Sequence, residues 1–324
     1  MVLLIAVGGA AYYQYVYRPR HTVPPEPAYV LPNSLEVVDT PAEVRMVVGR
    51  LKSGERVEVL LRSHNWSKVR FAEGQTGWVE AKNLVDAQTY EGGQRLLKEI
   101  GDLSPQAVGH TSAMVNLRLE PSRDAPQLAQ LEEKQRVEVF GRRLVEREAV
   151  AAATPSSTET PQRDAWYQIR ANTRAGWVLG RLVTLDVPEE LAEYAQSVNL
   201  VAWLVLSTVE DGGQQVPQYL AADRMGTQEF DFNHIRVFTW WTKRHRYVTA
   251  YVESNLNGYL PIRVWRVGSV PYFRLRLVDR EGHKFQKVYR LFDTITRPVG
   301  MVEGWESDAL PAPAAPRRRR ARGR

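Results

Sequence analysis

Leu51, followed by Arg56-Val57-Glu58-Val59-Leu60, recurs eighty positions later as Leu131, followed by Arg136-Val137-Glu138-Val139-Phe140. The match runs upstream without a gap, from Leu35, Val37 and Pro41 to Val115, Leu117 and Pro121. It resumes after an insertion, with Trp66 matching Trp166 and Gly77-Trp78-Val79 matching Gly176-Trp177-Val178. A fixed internal period denotes two copies of one structural unit. In each copy the paired valines alternate with polar residues, as a half-buried strand requires. Trp66-Ser67-Lys68-Val69-Arg70-Phe71 and Trp166-Tyr167-Gln168-Ile169-Arg170 read as the next strand, and Glu73-Gly74 as a turn before the Gly-Trp-Val strand. Short strands and frequent turns within roughly sixty residues predict a small, closed or nearly closed β-barrel, which limits exposed edges.

The second copy carries Asn116-Leu117-Arg118, Pro121, Val137-Glu138-Val139, Trp166-Tyr167 and Gly176-Trp177-Val178. This series resembles the bacterial SH3-like domain (SH3b), in two tandem copies. The first copy has Glu36-Val37-Val38 in place of Asn-x-Arg but keeps a turn glycine, Gly54, where the second has Lys134. The resemblance covers roughly residues 30–85 and 112–185 and specifies fold more than function. It implies a binding module, often outside the cytoplasm, for cell-wall glycan (peptidoglycan) or short peptides. Trp78 and Trp177, inside the Gly-Trp-Val strand, are expected in the core, because aromatic burial dominates small cores. Trp66, Trp166 and Tyr167 sit at strand starts beside polar residues and are the candidate ligand-binding residues; partly buried scaffold is the alternative.

The expected fold class is mainly β. Residues 1–17 read as a hydrophobic helix serving as membrane anchor or signal segment, and 18–28 as a Pro-rich linker. Residues 29–86 form the first barrel and 87–109 a helical linker, with Leu96, Leu97 and Ile100 on one helix face. Residues 110–186 form the second barrel, whose insertion at 145–164 reads as a loop. Residues 187–197 hold a short helix that starts at Pro188. Residues 198–300 read as a separate, basic antiparallel β domain, and 301–324 as a disordered Pro/Ala/Arg tail.

The stretch Val2 to Tyr17 is apolar and aromatic and is followed by Arg18 and Arg20. It is slightly short for a span of about 30 Å of hydrocarbon, but aromatic residues and arginines at its exit suit a membrane interface. It is read as an uncleaved signal-anchor whose true start lies upstream. The chain is thus expected to contact the membrane through residues 2–17 and to be extracytoplasmic, in the periplasm or cell envelope. Arg18 and Arg20 argue the other way on the positive-inside rule.

In the 198–300 region, the apolar run Leu200–Val209 ends at Asp211-Gly212-Gly213. Further strands are expected at 235–241, 247–253, 259–267, 272–278 and 285–292. Asn257-Gly258 reads as a two-residue hairpin turn. Between Arg236 and Arg297 thirteen Lys/Arg face four Asp/Glu, a net charge of +9 in a chain of net +6. Arg236, Arg263, Arg274, Arg276 and Arg290, interleaved with aromatics, are the candidate polyanion-binding residues. Anionic lipid or another polyanion is the partner they imply; a solvated basic face is the alternative.

The chain has no cysteine. This excludes disulfides, thiolate zinc sites and cysteine nucleophiles from these residues, including the cysteine peptidases that often accompany SH3-like domains. No H-E-x-x-H helix, G-x-S-x-G elbow or phosphate loop is present. Asp231 and His234 are close in sequence but are read as loop structure. No catalytic residue, metal or cofactor is assigned. The reading is a non-enzymatic, membrane-tethered binding protein of the bacterial envelope. The alternatives are an intracellular membrane-anchored scaffold that binds acidic lipid or nucleic acid, and an enzyme with a dispersed site in 198–300.

Overall fold

A computed structural model of the protein describes residues 25–147, 163–226 and 229–306. Among them the fold is mainly β: three seven-stranded antiparallel sheets and two α-helices. The expected anchor at 1–17, the core of the 145–164 insertion and the tail from 307 lie outside the described residues. No described helix is long and apolar enough to cross a membrane; the expected N-terminal hydrophobic helix falls outside the described residues.

The first compact unit runs to Gly92. Its strands are β1 (Glu26–Val30), β2 (Ser34–Val38), β3 (Val47–Lys52), β4 (Arg56–Ser63), β5 (Trp66–Arg70), β6 (Thr76–Glu80) and β7 (Leu84–Asp86). They are ordered β3-β2-β6-β5-β4-β1-β7. The inward positions of the alternating strands, among them Val37, Leu51, Val57, Val59, Val69 and Val79, make one core. Strand β1 begins within the stretch expected as linker, because Ala28 and Val30 are inward-facing and β1 pairs with both β4 and β7.

Helix α1 (Ala87–Ile100) starts where the helical linker is expected to begin. Asp86 fixes that start: its carboxylate accepts the Thr89 N–H at 2.9 Å and the Thr89 hydroxyl at 2.8 Å, satisfying an otherwise orphaned helix donor. Tyr90 then stacks on Tyr29 at 3.9 Å. The boundary between the two compact units falls within this helix, after Gly92.

The second unit opens with the second repeat: β8 (Ala107–Thr111), β9 (Val115–Arg118), β10 (Gln127–Leu131), β11 (Arg136–Glu146), β12 (Arg163–Ala171), β13 (Arg174–Leu179) and β14 (Val183–Leu185). Its order, β10-β9-β13-β12-β11-β8-β14, repeats the first strand for strand. Details repeat too. A bulge follows Val59 and, eighty residues on, Val139. The cross-strand ion pair Arg70–Glu58 (3.1 Å) recurs as Arg170–Glu138 (2.8 Å). The insertion is not a loop over its whole expected length, because β11 continues to Glu146 and β12 begins at Arg163, pairing through Val145 and Asp164.

After α2 (Glu189–Ala195) comes a meander in strict sequence order. Its strands are β15 (Asn199–Asp211), β16 (Gln214–Arg224), β17 (Phe232–Trp241), β18 (Arg246–Val267), β19 (Val270–Val278), β20 (Lys284–Phe292) and β21 (Ile295–Glu303). The antiparallel expectation stands, with three differences. Strands β16 and β21 are additional, so the sheet reaches into the segment expected as disordered tail. Asn257-Gly258 is no hairpin turn: β18 runs through it, with Asn255 at φ 61. Gly258 serves close packing instead, since a Cβ there would overlap the Phe232 ring.

Nor is the third sheet separate from the second repeat. Leu200, Trp203, Tyr219 and Ala221 share one core with Leu117, Val137, Ile169 and Leu191. The other face of the sheet makes its own core around Phe232, Ile235, Ile262, Phe273 and Leu275. Gln106 locks the entry to the second repeat onto this sheet. It is fully buried, its Nε2 donates to the Ile262 and Ser104 carbonyls (both 2.9 Å), and its Oε1 accepts the Ile262 N–H (2.7 Å).

Candidate functional site

The hairpin between β4 and β5 turns at His64, which adopts φ 53, and Asn65. Trp66 is therefore the first residue of its strand, next to a tight turn, and stays only partly buried. The Asn65 carbonyl accepts the Ala81 N–H at 2.7 Å, drawing the end of β6 alongside. His64, Asn65, Trp66, Glu80, Ala81 and Lys82 line a cleft of ≈ 530 Å³. Arg45 lies with its guanidinium 5.2 Å from the Trp66 ring centroid, a cation–π arrangement. Glu80 and Lys82 pair at 2.6 Å. Close by in sequence, Val44, Met46, Val47 and Val48 are exposed, the last two on the unpaired edge of β3. An aromatic face flanked by hydrogen-bonding groups and both signs of charge suits a polar ligand with an apolar side, such as a sugar or a peptide.

The second repeat closes the same position. Trp166 is only 3% exposed, which corrects its assignment as a ligand-binding residue. The cause is the longer β11–β12 hairpin: three residues of β12 precede Trp166, which pairs with Arg143 and Leu179 in mid-strand. Tyr167 is partly buried, and burial pushes its hydroxyl up from the ordinary tyrosine range. It pairs across the hairpin with Arg142, which forms a buried ion pair with Asp231 at 3.1 Å. Asp231 also accepts the Leu260 N–H at 2.9 Å. Burial raises its carboxyl, against the lowering effects of Leu260 and Arg142. Trp177 is buried as expected, with Arg143 over its ring, whereas its counterpart Trp78 is partly exposed.

The arginines proposed for polyanions lie largely against aromatic rings of the same unit. Arg236 packs over Tyr194 at 4.7 Å, Arg274 over Trp265 at 4.8 Å and Arg276 over Trp305 at 5.9 Å. Arg274 is 7% exposed, which corrects its placement on a solvated face: the alternation with Phe273, Leu275 and Leu277 holds, but the opposite face is partly covered. Arg263 is half-buried and Arg290 is exposed.

One cluster escaped the sequence. Asp223, fully buried, accepts from the Tyr194 hydroxyl and lies 2.6 Å from Nδ1 of His234. Burial, then Asp223, pushes the Tyr194 hydroxyl up. Asp223 and His234 face each other across β16 and β17, so His234 belongs with Asp223 and not with Asp231. Recognising β16 would have revealed the pair. Asp279, Glu281 and His283 each offer a metal-ligand atom, all within 4.8 Å of one another. They sit on a β-hairpin turn, however, where Asp279 already accepts the Glu281 and His283 N–H groups.

Residues 41–85 match the bacterial SH3 domain family, a span that contains Arg45, Trp66 and Trp78. No curated protein matches the chain. Among solved structures, NlpC2 from Trichomonas vaginalis is 9% identical at TM-score 0.18, with 73% of this chain and 98% of that one covered. An NlpC/P60 family protein from Bacillus cereus is 10% identical at TM-score 0.22, with 70% and 94% covered. NlpC1 from Trichomonas vaginalis is 8% identical at TM-score 0.18, with 71% and 93% covered. The expectation of a chain without enzymatic role is withdrawn, and at these TM-scores the neighbours carry no activity over to this chain. At these identities no active-site residue is carried over, and the 324 residues contain no cysteine.

Proposed function

We propose that this chain binds cell-wall material at the bacterial envelope through its first repeat, with both repeats being SH3-like barrels. The observation that carries the reading is a coincidence of place. The bacterial SH3 match at residues 41–85 contains the open, Arg45-flanked face of Trp66 and most of the exposed β3 edge. Bacterial SH3 domains commonly bind peptidoglycan. The partly buried indole stacks on a sugar ring or peptide side chain, and Asn65, Glu80 and Lys82 supply polar partners. The second repeat, whose matching tryptophan is buried, serves as scaffold for the third sheet. On this reading the apolar residues 2–17 hold the protein at the membrane, facing the wall.

The test is co-sedimentation of the protein with purified peptidoglycan. Trp66→Ala should lose most of the bound fraction while remaining folded. Undiminished binding by that variant, or no binding by the wild type, refutes the reading.

Polyanion binding by the third sheet is a second reading, favoured by the +9 charge of residues 236–297 and the exposed Arg290. It predicts co-sedimentation with anionic vesicles that falls steeply from about 50 to 200 mM salt; no binding at low salt ends it.

A further inference from the structure

One corner of the third sheet is apolar and exposed, and strand register sets the order of its side chains. Two hairpins turn at this end of the sheet: β18 into β19 through Gly268-Ser269, and β20 into β21 through Asp293-Thr294. Strands β19 and β20 pair directly, so the two hairpins lie side by side. Val267 faces Val270 at the first turn, and Phe292 faces Ile295 at the second. Val267 is 50% exposed, Phe292 67% and Ile295 50%. Single exposed apolar residues are ordinary, but a contiguous group marks an interaction surface.

Two residues back along the strands, on the same face, lies a row of different chemistry. Trp265 pairs with Tyr272, Tyr272 with Arg290, and Arg290 with Arg297, one residue from each of four adjacent strands. Trp265 and Tyr272 are partly buried and stack at 5.6 Å. Arg290 and Arg297 are both exposed. Like charges placed opposite each other weaken a strand pair, a cost that a nearby anionic surface offsets. Asp293, between Phe292 and Ile295, belongs to the turn and to neither row.

The order is therefore apolar first, then aromatic and cationic. A bilayer presents a matching order, because aromatic rings and long cationic side chains favour the layer between hydrocarbon and water. The dimensions agree. The two rows are roughly 7 Å apart along the strands, and the headgroup layer on each side of a bilayer is roughly 5–8 Å thick. A sheet tilted onto the surface can bring Val267, Phe292 and Ile295 to the hydrocarbon while Arg290 and Arg297 stay level with the phosphates. A nucleic acid would satisfy the arginines but offers the apolar row nothing.

We propose that this corner docks shallowly into an anionic lipid surface, with the apolar row inserted and the two arginines on lipid phosphates. The inference rests on the polyanion reading of the third sheet and names its partner. It does not involve residues 2–17 or the first repeat.

Because the chain has no cysteine, a single introduced thiol can be labelled cleanly. The full chain with Phe292→Cys, carrying an environment-sensitive fluorophore, is titrated with vesicles of phosphatidylcholine, alone or mixed with phosphatidylglycerol. Glu281→Cys, in the turn at the opposite end of β19 and β20, is the control. The Phe292→Cys label should brighten and shift to the blue on mixed vesicles only, and the Glu281→Cys label should stay unchanged. Arg290→Gln combined with Arg297→Gln should weaken binding to mixed vesicles about tenfold or more, as expected for two cations lost from an anionic surface. All four sites are exposed, so the variants should fold, and circular dichroism checks this. Salt-sensitive binding to mixed vesicles with a silent Phe292→Cys label keeps the polyanion reading and overturns this one. No binding at low salt ends both. Three further results overturn the proposal: an equal label response on neutral vesicles, undiminished binding by the folded arginine variant, or a response to protein concentration alone, which marks self-association.

Discussion

The two repeats share a strand order, a bulge and a cross-strand ion pair, yet equivalent residues in them do different work. Arg62 and Arg142 stand eighty positions apart at matching points of the hairpin. Arg62 makes an exposed pair with Glu26 at 3.4 Å, while Arg142 makes a buried one with Asp231 of the third sheet. Leu61 is 54% exposed, whereas Gly141 at the matching position is buried. Trp66 is open and Trp166 closed. The topology is thus set locally by each repeat, and the fate of each surface by what covers it. In the second repeat the third sheet covers much of that surface, through a shared core and the Arg142–Asp231 pair.

Four experiments can break or sharpen this contrast. The largest effect should come from the buried tryptophans. Trp166→Ala should destabilise the second repeat by about 3–5 kcal/mol, the range for aromatic truncation in a core, whereas Trp66→Ala, at a partly buried ring, should cost clearly less. Denaturant melts combined with hydrogen exchange, read separately on peptides of each repeat, measure both. Equal losses would erase the distinction between an open and a closed copy.

The ion pairs come next. Arg142→Ala leaves Asp231 buried without its cation and should cost about 3–5 kcal/mol; Arg62→Ala should cost no more than about 1 kcal/mol. A cheap Arg142→Ala would show that the second repeat does not depend on the third sheet. A step below lies Gln106→Ala, which strips partners from buried backbone groups at Ile262. A loss of about 2–3 kcal/mol is expected from unmet hydrogen bonds, seen as faster amide exchange at Ile262.

The smallest effect concerns the helix start. The Thr89 N–H holds the Asp86 carboxyl below the usual carboxylate range. Its contribution is therefore complete above the unfolded value, about 3.9, and is lost as pH falls through the lower folded value. Asp86→Ala should cost about 1 kcal/mol at pH 7, the usual worth of such a cap, and progressively less as pH falls below the unfolded carboxylate range. A difference between variant and wild type that did not shrink on acidification would remove the carboxylate from the account.

Much of this architecture was legible because a repeat doubles the signal: Val57 and Val59 mean more when Val137 and Val139 echo them. Strand β16 was missed because Pro217 and the run Leu220-Ala221-Ala222 lack strand-like alternation. Strand β21 was hidden by Pro298 and Gly300. Asn257-Gly258 misled because glycine there answers to the Phe232 ring, a contact made with another strand. The candidate face at Trp66 could be read from its place beside a turn. The burial of Trp166 could not, since it depends on how far the hairpin zips beyond it. Likewise, nothing local to Arg142 announces Asp231, eighty-nine residues away.

The Gln106 lock also sets an order of events during synthesis. The first repeat is complete once β7, at Leu84–Asp86, has emerged and paired with β1. The second unit must wait for Ile262, 156 residues beyond Gln106. At translation rates of about 5–20 residues per second, that wait lasts roughly 8–30 s. For the first part of it the nascent second repeat carries the apolar positions that Leu200, Trp203 and Tyr219 will later cover. The first repeat is a finished product on the ribosome, while the second is an intermediate exposed to chaperones until its sheet arrives.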